Sequence, residues 1–287
     1  MRKFIFLLMF LALIVFPFKG WSALIDDLYI TLSNDYDGDG DTVTDLFDEI
    51  GFYDQSRSTY SITNVNDLGP GVTFIDEGHA VGTYLGLDGS EVSSEDMRTS
   101  RKDPHSWELT IVWELNGELV GFSGSDLVGS YTSGTVTIYL DETPDADFGD
   151  DLNDSYDDDN ATFSDGVKII KGEVVGGEGR FVNFSVSDNF NRQANIDLLI
   201  TYVNPNYIQS ESLDLNKLVS MSWLVGLATE GNDGNTKVTY DEDGNVIAIG
   251  HGTGSITFAA VPEPATILLV GGGLFLAGVI ARRKIVK

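Results

Sequence analysis

Between residues 107 and 115 the odd positions are large and apolar: Trp107, Leu109, Ile111, Trp113 and Leu115. The even positions are Glu108, Thr110, Val112 and Glu114. A period of two sends successive side chains to opposite faces of a strand, so one face here is buried and the other mostly wet. Asn116-Gly117 follows, a dipeptide suited to a tight hairpin, and predicts that residues 118–122 return as the partner strand. The same alternation predicts strands at 28–32, 58–62, 72–75, 80–85, 135–140, 167–175, 180–187, 196–203, 222–229, 236–240, 246–250 and 254–259. Helical periodicity is confined to 45–53 and 213–219. Short strands joined by Gly, Asn and Asp turns predict an all-β chain: a single β-sandwich/jelly-roll-like domain. Two small sandwiches divided within 141–165 are the alternative.

The charge is lopsided: 45 Asp+Glu against 17 Lys+Arg, a formal net of −28. Seven of the basic residues and one acid lie outside residues 23–261, which leaves 44 acids and ten bases in the 239 residues between, a net of −34. Such a chain lacks the cationic face that displaces counterions from phosphate, so nucleic acid is excluded as a partner. A basic patch for anionic lipid is excluded for the same reason. The absence of Cys removes disulfides, thiolate zinc sites and a Cys nucleophile. Self-repulsion opposes compaction, and bound cations or salt would relieve it.

Both ends read as targeting segments. Residues 1–22 predict a signal peptide: Arg2 and Lys3 form a positive head, residues 4–16 are an unbroken apolar run, and Gly20-Trp21-Ser22 suits signal peptidase. Residues 23–260 then form the exported domain. At the other end come Pro262-Glu263-Pro264, seventeen uncharged residues from 265 to 281, and Arg282, Arg283 and Lys284. The prolines keep the first part extended, the apolar stretch is at the short limit for a transmembrane helix, and the basic tail marks the cytoplasmic side. An ordinary single-pass anchor on a proline-rich stalk would share these features.

This order of motif, short Gly-rich helix and basic end at 261–287 resembles the PEP-CTERM sorting signal. The resemblance implies export across the inner membrane of a Gram-negative bacterium and membrane anchoring before processing by exosortase. Release to the cell envelope or the extracellular space would follow. Residues 47–52 (Phe-Asp-Glu-Ile-Gly-Phe), the strand at 135–140 entering an acidic loop, and the tail together are similar to flocculation-associated proteins of this kind.

Two acidic clusters bear on ligands. Counted from Asp37, the calcium-loop positions 1, 3, 5, 9 and 12 are Asp37, Asp39, Asp41, Asp45 and Asp48, with Val43 offering a carbonyl at position 7. Position 6 is then Thr42 where a glycine is wanted. Counted from Asp35, Gly40 falls correctly, but Val43 and Leu46 take the places of the last two ligands. A calcium site and a solvated acidic turn both fit this loop. Residues 141–165 carry eleven acids and no base, and Asp141, directly after a strand, is the member held most rigidly. Asp241-Glu242-Asp243-Gly244-Asn245 reads as hairpin turn chemistry.

Catalytic signatures are missing. His79, His105 and His251 are far apart, and neither an HExxH pair, a G-x-S-x-G elbow nor a phosphate loop occurs. With 44 carboxylates, a glycosidase pair is neither supported nor excluded. Tyr131, Tyr139, Tyr156 and Tyr207 are candidates for stacking on sugars, and Trp107 and Trp113 for the core. The expectation is a non-enzymatic envelope or matrix protein that contributes to biofilm or floc through an acidic, calcium-binding β-domain. Its partners would be exosortase, signal peptidase, and exopolysaccharide or a matrix protein. A calcium-dependent lectin-like module and a polysaccharide hydrolase are the alternatives.

Overall fold

A computed structural model describes residues 23–36, 40–92, 97, 106–148, 161–182, 191–215, 223–230 and 236–260. Leu24–Ala260 form one compact unit. The predicted signal peptide and the whole C-terminal signal lie outside the described residues.

The all-β expectation holds, and the architecture is a single sheet closed on itself. Short strands β1 (Ala23–Leu24) and β2 (Leu28–Ile30) come first. They are followed by β3 (Glu49–Tyr60), β4 (Thr73–Leu87), the short β5 (Ser90–Val92), β6 (Glu108–Ser123) and β7 (Asp126–Asp141). Then come β8 (Val167–Val182), β9 (Asn191–Val203), the short β10 (Ile208–Ser210), β11 (Trp223–Glu230), β12 (Lys237–Tyr240) and β13 (Val246–Ala260). The sheet order β13-β11-β9-β8-β7-β6-β4-β3 follows the chain, and every pairing is antiparallel. β13 also pairs with β3, from Ile247↔Thr59 to Thr257↔Glu49, so the eight long strands leave no free edge among themselves. The opposed apolar walls of a sandwich are present. The connections between them are those of an up-and-down barrel rather than the crossovers of a jelly roll.

Alternation decides what faces inward. On β9, Arg192, Ala194, Ile196, Leu198 and Ile200 are buried, while Gln193, Asn195 and Asp197 are exposed. On β6 the inner set is Leu109, Ile111, Trp113 and Leu115, with Glu114 and Glu118 outside. An eight-stranded barrel is just wide enough for side chains to fill it. The β2–β10 ribbon covers the end where β3 begins and β9 finishes, and Leu28, Ile30, Phe47 and Ile208 there are fully buried.

Several sequence expectations are corrected. Asn116-Gly117 is not a turn but lies inside β6, at a register shift opposite β7. The turn comes later, at Gly124-Ser125, where Gly124 adopts a φ of 67°. Gly117 is required by packing: a Cβ there would sit 2.2 Å from the Phe74 ring. The predicted breaks at 76–79, 176–179 and 251–253 are likewise strand interiors, of β4, β8 and β13. At Gly78 a Cβ would lie 2.1 Å from the Trp113 ring. These glycines read as punctuation but serve as seats for aromatic rings on a neighbouring strand. Residues 49–53 of the expected helix are the start of β3, and His251 sits within β13.

Candidate functional site

The barrel brings the two acidic clusters to the same end. The first precedes β3, and the second begins at the last residue of β7. Glu142 ties them together. Its carboxylate accepts from the Ser33 backbone N–H at 3.0 Å, the Ser33 hydroxyl at 2.8 Å and the Tyr36 hydroxyl at 3.1 Å. Within the first loop, Asp35 accepts from Gly40 N–H and Asp41 from Val43 N–H, at 3.0 and 2.9 Å. Asp41 and Asp45 are exposed and line one small cleft with Tyr36, Met97 and Trp107. Asp48 is buried and accepts from Asp88 N–H in the turn between β4 and β5. Burial, chiefly, raises its pKa. Asp37 and Asp39 lie outside the described residues.

A tighter group was not legible as a set in the sequence. Glu108 and Asp141 are paired directly across β6 and β7, and the chain turns back after β7 to bring Asp145 beside them. The three carboxylates each place one oxygen within 4.8 Å of the others. Glu108 is fully buried, and its Oε1 accepts from the N–H groups of Asp145 and Ala146 at 3.0 and 2.9 Å. Asp141 is 6% exposed. Its Oδ1 accepts from the Thr143 N–H and hydroxyl, while its buried Oδ2 has no hydrogen-bond partner. Asp165 lines one cleft with Asp141: burial first, then the charges of Asp145 and Asp141, raise its pKa. Like charges directly opposite on a ladder are destabilising. Glu108 occupies an outward position of the very strand whose inward residues define the alternation. Sequence periodicity marks it as solvent-facing, but the returning 141–148 segment covers it.

Phe148 of this segment and Phe163 of the short helix Ala161–Ser164 pack on the outer face of the sheet. Phe148 meets Tyr53 and His79 edgewise or tilted, and Phe163 lies 4.1 Å from the His79 ring. The carbonyl of Phe163 accepts from the Thr110 hydroxyl at 2.8 Å. His79 is thus a packed side chain in mid-strand. His105 lies outside the described residues.

A second polar cluster sits inside the barrel. Arg192 reaches from β9 to the opposite wall, where its guanidinium donates to Asp54 Oδ2 at 3.0 Å and to the Ser56 hydroxyl. It approaches Asp76 Oδ1 at 3.9 Å. Tyr131 donates to Asp76 Oδ2 at 2.9 Å. Tyr131 is therefore a core residue rather than a sugar-stacking surface. Burial raises the Asp54 pKa to about 6 against the pull of Arg192, and burial also raises that of Asp76. For Arg192, burial works toward neutrality, but Asp76 and Asp54 outweigh it and hold the guanidinium charged. This cluster is sealed from solvent, so its chemistry is structural: an ionic tie across the core. Arg192 had a sequence signal, since it stands in phase with Ala194, Ile196 and Leu198.

Residues 260–284 match the PEP-CTERM protein-sorting motif. The chain therefore carries a PEP-CTERM sorting motif, which implies export and processing by exosortase. No curated protein and no solved structure matches it. The motif residues Pro262, Glu263 and Pro264, and the basic Arg282, Arg283 and Lys284, lie outside the described residues. Among the described residues no helix is long and apolar enough to cross a membrane.

Proposed function

We propose that this chain is a non-catalytic envelope or extracellular-matrix protein, possessed of an acidic, calcium-binding β-barrel that contributes to a biofilm or floc matrix. The observation that carries the reading is the sorting motif at 260–284 behind a domain that carries net charge −34. Exosortase delivers the barrel to a compartment where divalent cations are available. There, carboxylates gathered on one rim can bridge through those cations to acidic polysaccharide or to a second copy of the barrel. The flocculation-associated kind of PEP-CTERM protein fits this role. The acid pair in the barrel interior, Asp54 and Asp76, is buried and closed to substrate, which favours a non-catalytic role over a hydrolase.

The test has two arms. Replacing Pro262 and Glu263 by Ala leaves an unprocessed precursor in the membrane fraction, as deleting exosortase does. A strain lacking the chain then loses calcium-dependent flocculation, and the wild-type gene restores it. Normal flocculation in the deletion strain refutes the matrix role while leaving the sorting intact. Sharp selectivity on a glycan array would move the reading to a lectin, and hydrolysis of extracted exopolysaccharide would move it to an enzyme.

A further inference from the structure

We propose that Glu108, Asp141 and Asp145 form a calcium site at the end of the β6–β7 pair, where the ion pins the returning 145–148 segment to the barrel. Three observations carry it. The oxygens of these carboxylates lie within 4.8 Å of one another, the span that ligands on one calcium at about 2.3–2.6 Å occupy. Asp141 is more than nine-tenths buried, and its Oδ2 is enclosed with no hydrogen-bond partner. Among the described residues no Lys or Arg forms an ion pair with Asp141, Asp145 or Asp165.

A buried oxygen without a hydrogen bond, on a carboxylate that neighbours two further acids, lacks compensation unless a cation supplies it. All-oxygen, carboxylate-rich ligation selects a hard cation, and flexible spacing from strand and loop favours calcium over the smaller, octahedral magnesium. An open cleft of about 270 Å³, lined by Asp141, Glu142 and Asp165 among others, borders Asp141 and gives solvent a route to its neighbourhood. The ligands come from two adjacent strands and the segment that follows them. Binding therefore couples the ion to the fold, and Asp145 is already oriented by its own N–H on Glu108.

The site depends on the proposed function only for a calcium-containing compartment, and it is tested apart from sorting and flocculation. The full chain in nonionic detergent is melted with calcium, with magnesium and with chelator, following tryptophan fluorescence. Calcium at about a hundred times its dissociation constant raises the Tm of the wild type by about 5–10 °C. Asp141→Asn keeps the Oδ1 acceptor for Thr143 but loses the shift. Asp145→Asn, at an exposed side chain that the fold does not need, loses it as well. In chelator, Asp141→Asn melts at or above the wild-type temperature because one repulsion is gone. The double variant Asp41→Asn, Asp45→Asn retains the shift. No shift in the wild type overturns the site, as does a shift that survives in both Asp141→Asn and Asp145→Asn. A shift abolished only by the first-loop double variant moves the ion to that loop and also overturns it. An equal response to magnesium overturns the choice of calcium. None of these outcomes alters the processing phenotype of Pro262 and Glu263, so failure of the site and failure of the matrix role remain distinguishable.

Discussion

Replacing Arg192 by Met removes the single cation from the barrel interior cluster and leaves Asp54 and Asp76 facing each other in the core. The guanidinium lies 3.0 Å from Asp54 and 3.9 Å from Asp76. At an effective dielectric near 20 these contacts amount to about 5.5 and about 4 kcal/mol of attraction. Desolvation of three buried ions, several kcal/mol each, offsets most of that, so the intact cluster contributes little net stability. Removing one member is a different matter, because the remaining charges keep their desolvation cost without compensation. The expected loss is about 3–5 kcal/mol at pH 7. For a barrel of this size that lowers Tm by about 6–20 °C.

The pH dependence separates this account from simple loss of packing. In the wild type, Asp54 titrates at about 6, against 3.8 for an ordinary aspartate. Between those values the native state holds a proton that the unfolded chain releases, so stability falls as pH rises through this window. Self-repulsion of the acidic chain has the same sign, so the comparison is with Asp54→Asn, which flattens the slope between about pH 4 and 6. Without Arg192 both acids titrate higher still, and the deficit of Arg192→Met shrinks toward acid pH and grows above neutrality. Urea unfolding from pH 4 to 8 measures all three proteins. A loss under about 1 kcal/mol at pH 7, or a deficit that grows as pH falls, would refute the reasoning.

Further outcomes follow from single contacts. Gly78→Ala drives a Cβ into the Trp113 indole, where 2.1 Å is available, and destabilises by about 1–3 kcal/mol in urea titration. Full stability there would show that the ring moves freely. Tyr131→Phe strips the hydroxyl from Asp76 Oδ2 and costs about 1.5–3 kcal/mol, with the loss relieved where Asp76 is protonated. Phe163→Ala empties a fully buried position against His79 and costs about 3–5 kcal/mol, read by melting, with faster proteolysis within 141–165. Unchanged proteolysis would mean that Phe163 does not anchor this stretch.

The all-β class was legible because a two-residue period leaves no other way to bury one face. Residues 107–115 state it without help from any neighbour. The sorting motif was legible too, since its determinants lie in one contiguous stretch of sequence, 260–284. Strand length was not. Gly78 and Gly117 carry the local signature of a turn, and only the rings of Trp113 and Phe74, brought over them from neighbouring strands, explain why the chain runs straight through. Closure was not legible either, because the pairing of β13 with β3 joins residues some two hundred apart, and no local pattern encodes it. The same holds for the polar clusters. Arg192 stood in phase with an apolar stripe, but its partners Asp54 and Asp76 are chosen across the width of the barrel. Asp141 was marked by its place after a strand. Glu108, read alone, belonged to the wet face. What buries it and sets it against Asp141 and Asp145 is the return of the chain over the sheet, and that placement exists only in the folded protein.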